Sequence, residues 1–147
     1  MIGKLKNVLM GKTAYRDSAE NKEDRQQLAL ASLLVEMAQA DFDETQNEHN
    51  LIIDLLASHY GLSSAESLEL LNRARDANEK AVCLFDSTRL LHKSLDAEQR
   101  IDVIRLLWQV ANSDNRLDKY EDYLVRKVAD LLHVSHGDVI RMKHEVI

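Results

Sequence analysis

The residues of this chain best suited to chemistry are carboxylates that recur in matching places. Residues 33–48 read LLVEMAQADFDETQNE and residues 106–121 read LLWQVANSDNRLDKYE. Laid over one another, the two stretches coincide at Leu33/Leu106, Leu34/Leu107, Ala38/Ala111, Asp41/Asp114 and Glu48/Glu121. Asp118 adds a further acid to the second copy. Carboxylate oxygens are the ligands that Ca²⁺, Mg²⁺ and Mn²⁺ select. Asp41, Glu48, Asp114, Asp118 and Glu121 are therefore the candidate metal ligands, with Asp43 and Glu44 as helpers in the first copy. The loops are not EF-hands, because the D-x-D-x-D-G spacing is missing and no glycine follows the acids.

A structural reading competes for the same residues. Glu48 follows Thr45, and Glu121 follows Asp118, at the spacing of a helix capping box. Such a cap is worth about 0.5–2 kcal/mol and accounts for both Glu residues without a ligand. The two Asp residues are different. Each falls at the C-terminal end of a predicted helix, where the helix dipole disfavours an anion by roughly 0.3–1 kcal/mol. Either the Asp turns the chain by accepting from nearby backbone amides, or it serves a cation. The spacing leaves both open.

No other constellation points to catalysis. Cys83 is the single cysteine, which excludes an internal disulfide and a cysteine-based zinc site and reads as a small buried hydrophobe. His133 and His136 straddle a predicted loop, and His49, His59, His92 and His144 are scattered, so all six read as rim or surface residues. Phosphate-cradling glycine loops and nucleophile elbows are missing. The expectation is a protein with no catalytic residues and no enzymatic activity. Trp108, Phe85, Tyr120 and Tyr123 read as core or interface side chains, and 121–127 (EDYLVRK) as a helix face with local ion pairs.

The elements that must carry these residues are helices. With no proline and four glycines in 147 residues, turn chemistry is scarce. Apolar spacing predicts a first helix over 21–40 with Leu28, Leu30, Leu33, Leu34, Met37 and Ala38 facing in. A second holds Leu51, Ile52, Leu55, Leu56 and His59 and stops at Gly61. Ser63 with Glu66 opens a third through Leu68, Leu71 and Ala74. A fourth restarts at Asp86 or Ser87, unless one bent helix runs through. Asp96 caps a fifth, whose Ile101, Ile104, Leu107, Trp108 and Ala111 place it at the bundle centre. Asp118 caps a sixth and Ser135 a seventh. The fold class is all-α: a compact bundle of about seven helices with a pseudo-two-fold repeat of helix–loop–helix units.

Charge bounds the partners. Residues 1–16 hold Lys4, Lys6, Lys12 and Arg16 and no acid, so all 25 acidic residues lie beyond them. An acidic body with net charge −6 argues against nucleic acid. Ile2, Leu5, Val8, Leu9 and Met10 beside the lysines suit either a docked or frayed terminus or a weak membrane-surface contact. Residues 1–20 read as a basic, partly flexible segment and 21–147 as one helical domain. No run reaches the roughly 18 apolar residues of a membrane span, and no signal peptide is evident, so a cytoplasmic location is expected. Protein partners remain unnamed by any motif, and a monomer and a homodimer suit the sequence equally.

The second copy also carries a resemblance. LLWQVANSDNRLDKYEDYLVRKVADLLHVS (106–135) is similar to the Leu-Trp, Ala-x-x-Asp, Leu-Asp-x-x-Glu and Arg-x-x-Ala-Asp-Leu-Leu run of the TerB-like family, bacterial helical proteins related to the tellurite-resistance protein TerB. The first copy resembles it more loosely, and 85–100 (FDSTRLLHKSLDAEQR) is similar to the corresponding stretch of a small branch of that family. The resemblance implies a helical bundle with duplicated loops, a negatively charged surface that binds divalent metal, a stress-associated role and action through other proteins rather than catalysis. By position it implies Asp41, Glu48, Asp114, Asp118 and Glu121 as the matching acids. Where the family commonly has Gly after each loop Asp, this chain has Phe42 and Asn115, and Thr45 replaces the carboxylate that Asp118 supplies. Asn adopts a left-handed conformation readily and Phe poorly, so the second loop is the one expected to keep the family's geometry.

Overall fold

The structure, a computed structural model, describes residues 22–39, 46–79, 84–114 and 117–147. These residues form seven helices and, among them, no strand. They are α1 (22–39), α2 (Gln46–Tyr60), α3 (Ser64–Glu79), α4 (Leu84–Ser94), α5 (Ala97–Ala111), α6 (Lys119–Leu131) and α7 (His136–Val146). Helices three and four are separate, and α4 begins at Leu84, ahead of the Asp86 or Ser87 start read from the sequence. Neither side chain was needed as a cap: Ser87 is buried instead.

Local chemistry sets most of the helix ends. Ser63 and Glu66 close a reciprocal box on α3: the Glu66 amide donates to Ser63 Oγ at 3.1 Å and the Ser63 amide to Glu66 Oε1 at 3.0 Å. Asp96 and Gln99 do the same for α5 at 2.8 and 3.0 Å. Ser135 Oγ accepts from the Asp138 amide at the start of α7. Each bond satisfies an amide that the first helical turn leaves without an intrahelical partner.

The C-terminal ends of α2 and α6 share one device. At α2, Gly61 takes φ +66° and the Leu62 amide reaches back to the Ala57 carbonyl at 2.9 Å. At α6, His133 takes φ +57° and the Val134 amide reaches back to the Ala129 carbonyl, also at 2.9 Å. Both are left-handed terminations that turn the chain into the next helix. Glycine makes the first easily; histidine makes the second against the steric cost of its Cβ.

The core bears out one expectation and adds to it. The sequence put α5 at the centre, and its Val103, Ile104, Leu106, Leu107, Trp108, Val110 and Ala111 are buried. Helix α1 shares that place, being buried without interruption from Ala29 to Val35 and again at Met37 and Ala38. A helix covered on every face must lie inside, and α1 has the small Ala29, Ala31 and Ser32 on the side that lacks leucines. Around these, α5 packs on α7, α6 and α2, α4 on α6, and α3 on α2. Ser67 Oγ pins α3 to α2 by donating to the Ile53 carbonyl at 2.6 Å. Arg73 pins α3 to α1 through a two-pronged pair with Asp24 at 3.0 and 3.1 Å.

Candidate functional site

The second repeated loop leaves α5 at Ala111 and enters α6 at Lys119. Asp114 stands in its first turn and is exposed, just past the helix end as the spacing predicts. Asp118 stands at the N-cap of α6 with extended backbone (φ −77°, ψ 150°), and its side chain is exposed too. Glu121, one helical turn on, is buried at 4 % exposure, and its Oε1 accepts from the Asp118 amide at 3.4 Å. That is the return half of a capping box, made with a long bond.

In the first copy, Glu48 occupies the corresponding first turn of α2 and is equally buried, at 3 %. Asp41, Asp43, Glu44 and Thr45 lie outside the described residues. Burial thus sorts the duplicated positions. Leu33, Leu106, Leu34, Leu107, Ala38, Ala111, Glu48 and Glu121 are all inside, whereas Asp114 is outside. The shared letters are mostly a shared core, and Asp114 is the described repeated residue that stays exposed.

The arrangement does not gather the predicted ligands into a finished site. Among the described residues no group of three or more His, Cys, Asp or Glu side chains is placed to hold a metal ion. The donor chemistry of Asp114 and Asp118 suits a hard cation. Two exposed carboxylates on one loop would bind it loosely, with water completing the shell.

Two side-chain clusters escaped the sequence reading. Trp108, fully buried, donates from Nε1 to the Val139 carbonyl at 3.0 Å, and Lys143 Nζ stands 5.3 Å from the centre of its ring. Lys143 also pairs with Asp122 at 3.2 Å, and Asp122 with Arg126 at 2.8 Å, joining α5, α6 and α7. Burial pushes the Asp122 carboxyl up, but the bonds from Arg126 and Lys143 outweigh it and hold it below the usual range. The second cluster brings His92 of α4 and His133 together, ring centres 4.5 Å apart. Arg100 of α5 is close by and donates to the Leu132 carbonyl at 3.0 Å. Desolvation, then the charges of His133 and Arg100, lower the His92 pKa. Both clusters join residues far apart in the chain, which no local spacing announces. Tyr120 and Tyr123, by contrast, stack on each other while more than half exposed. The Phe85 and Cys83 side chains lie outside the described residues.

No described helix is long and apolar enough to cross a membrane. A family model, Tellurite resistance protein TerB, matches residues 27–144 of the chain. No curated protein and no solved structure matches it.

Proposed function

The chain belongs to the TerB family, and from that premise we propose that it is a non-enzymatic, stress-associated module that binds a divalent cation weakly and acts through protein partners in the cytoplasm. The observation that carries the cation half is the exposure of Asp114 and Asp118 on one loop between two packed helices. The carboxylate of Asp114 stands at the C-terminal end of α5, where the helix dipole opposes an anion and a bound cation would offset it. Glu121 contributes by fixing the start of α6 and hence the bearing of Asp118, rather than as an outward ligand. The bound ion would be Ca²⁺, Mg²⁺ or Mn²⁺, held mainly by its own hydration and neutralised by the two carboxylates.

Calorimetric titration of the chain and of Asp114→Asn with Ca²⁺, Mg²⁺, Mn²⁺ and Zn²⁺ tests this. The reading expects weak heats and a small thermal shift with a hard cation, both reduced in Asp114→Asn. Absence of heat and of any melting shift with every metal removes the cation half and leaves an interaction module whose acids are turn and cap residues.

A further inference from the structure

Charge pairing is unevenly distributed over this molecule. Arg73, Arg105, Arg126, Arg141 and Lys143 each face a carboxylate within 3.4 Å. Lys22, Arg25 and Lys93, like Arg89, Lys119 and Lys127, have no ion-pair or hydrogen-bond partner among the described residues. The first three are nevertheless gathered together: all three line one groove of about 630 Å³ between the start of α1 and the end of α4, with Glu23 as the only acid among its described lining residues. Arg25 and Leu90 also line an adjoining, largely apolar recess of about 180 Å³ that holds Leu28, Ala29 and Ala77, with Asp86 as an acid in its lining. The result is a cationic mouth over an apolar floor, on a protein whose net charge is −6.

We propose that this groove is the seat of an anionic phospholipid surface. Three unpaired cations attract phosphate headgroups, and the adjoining recess offers apolar surface to the acyl boundary beneath them. The first sixteen residues of the sequence carry the same composition, with Lys4, Lys6, Lys12 and Arg16 among Ile2, Leu5, Val8, Leu9 and Met10 and no acid, before Asp17 and Glu20 precede α1. Repulsion between the acidic remainder and the bilayer orients the molecule with the groove downward. The contact is peripheral and salt-sensitive. It lies on α1 and α4, apart from the Asp114 loop, and stands or falls independently of cation binding.

Co-sedimentation of the full chain with vesicles of phosphatidylcholine, alone and mixed with phosphatidylglycerol, tests it. The chain should partition onto the mixed vesicles, more weakly as salt rises, and ignore the neutral ones. Lys22→Gln/Lys93→Gln should lower the partition coefficient by roughly tenfold or more, at about fivefold per cation. Lys119→Gln/Lys127→Gln on α6 removes the same charge from exposed sites elsewhere and should change it little. All four residues are exposed, so circular dichroism should show every variant folded. Failure of the unmodified chain to sediment with mixed vesicles, or an equal loss in both double variants, overturns the proposal. So does equal binding to neutral vesicles, or a groove that takes an acidic peptide and not the vesicles.

Discussion

The indole Nε1 of Trp108 donates to the Val139 carbonyl at 3.0 Å, tying the last turn of α5 to the first turn of α7 from inside the core. The bond fixes one orientation of a large side chain that apolar contact alone would leave adjustable. Trp108→Phe removes the donor and leaves unfilled volume, which should cost about 2–3 kcal/mol. Urea denaturation checks it, with an unchanged m-value expected because the fold and the exposed area remain the same.

Asp122 is the common partner of Arg126 and Lys143, and it is only partly exposed. Asp122→Ala should destabilise by about 1–2 kcal/mol, more than an ordinary surface pair. Its folded pKa is depressed below the ordinary value of 3.8, so the stabilisation is complete above that value and is lost as pH falls through the folded pKa. Acid denaturation followed by circular dichroism should show Asp122→Ala losing less stability than the parent below pH 4, because it has less to lose.

His92 gives the opposite kind of acid sensitivity. Its folded pKa lies below the ordinary 6.5, so below that pH the unfolded chain takes up a proton more readily than the folded one. The penalty grows as pH falls from 6.5 through the folded pKa and is then constant. His92→Gln should flatten the dependence of melting temperature on pH across that window and leave it unchanged above pH 7. A slope identical to the parent's would show that neither desolvation nor the His133 and Arg100 charges lower its pKa in the fold.

The paired helix ends make reciprocal predictions. Gly61 has open space around a Cβ position, so Gly61→Ala carries only the backbone cost of φ +66°, about 1 kcal/mol. His133→Gly relieves the same strain at φ +57° and should stabilise α6 by up to about 1 kcal/mol, less whatever the His92 stacking contributes. Thermal melts of the two variants should move in opposite directions.

Glu121 and Asp114 should separate cleanly. Glu121→Ala removes a buried cap and should cost about 1–2 kcal/mol. Asp114→Asn, on an exposed turn, should change stability by less than about 0.5 kcal/mol. A large loss from Asp114→Asn would assign that residue to the fold instead of to a ligand.

Local features were legible in the sequence because their causes are local. Ser63, Asp96, Asp118 and Ser135 stand at helix starts, and Gly61 ends α2, since a cap or a left-handed turn is settled by a few neighbouring residues. Gln99 closes the Asp96 box, a partner not anticipated from the cap alone. Asp114 and Asp118 stand at the end of α5 and the start of α6, as their spacing indicates, but the division among the acids was not fully visible: capping was read for Glu48 and Glu121, and burial was not.

The sequence by itself determined the helical class, the family, most helix limits and the chemistry on offer, because periodicity, caps and repeated letters record short-range constraints. Tertiary structure alone decided that α1 shares the centre with α5, that Lys143 lies over Trp108 while holding Asp122, and that His92 meets His133. It also decided that Lys22 and Arg25 share a groove with Lys93 from the far side of two intervening helices. These are meetings between residues distant in the chain, fixed only when every apolar face is buried at once, and no spacing along a single strand of letters encodes them.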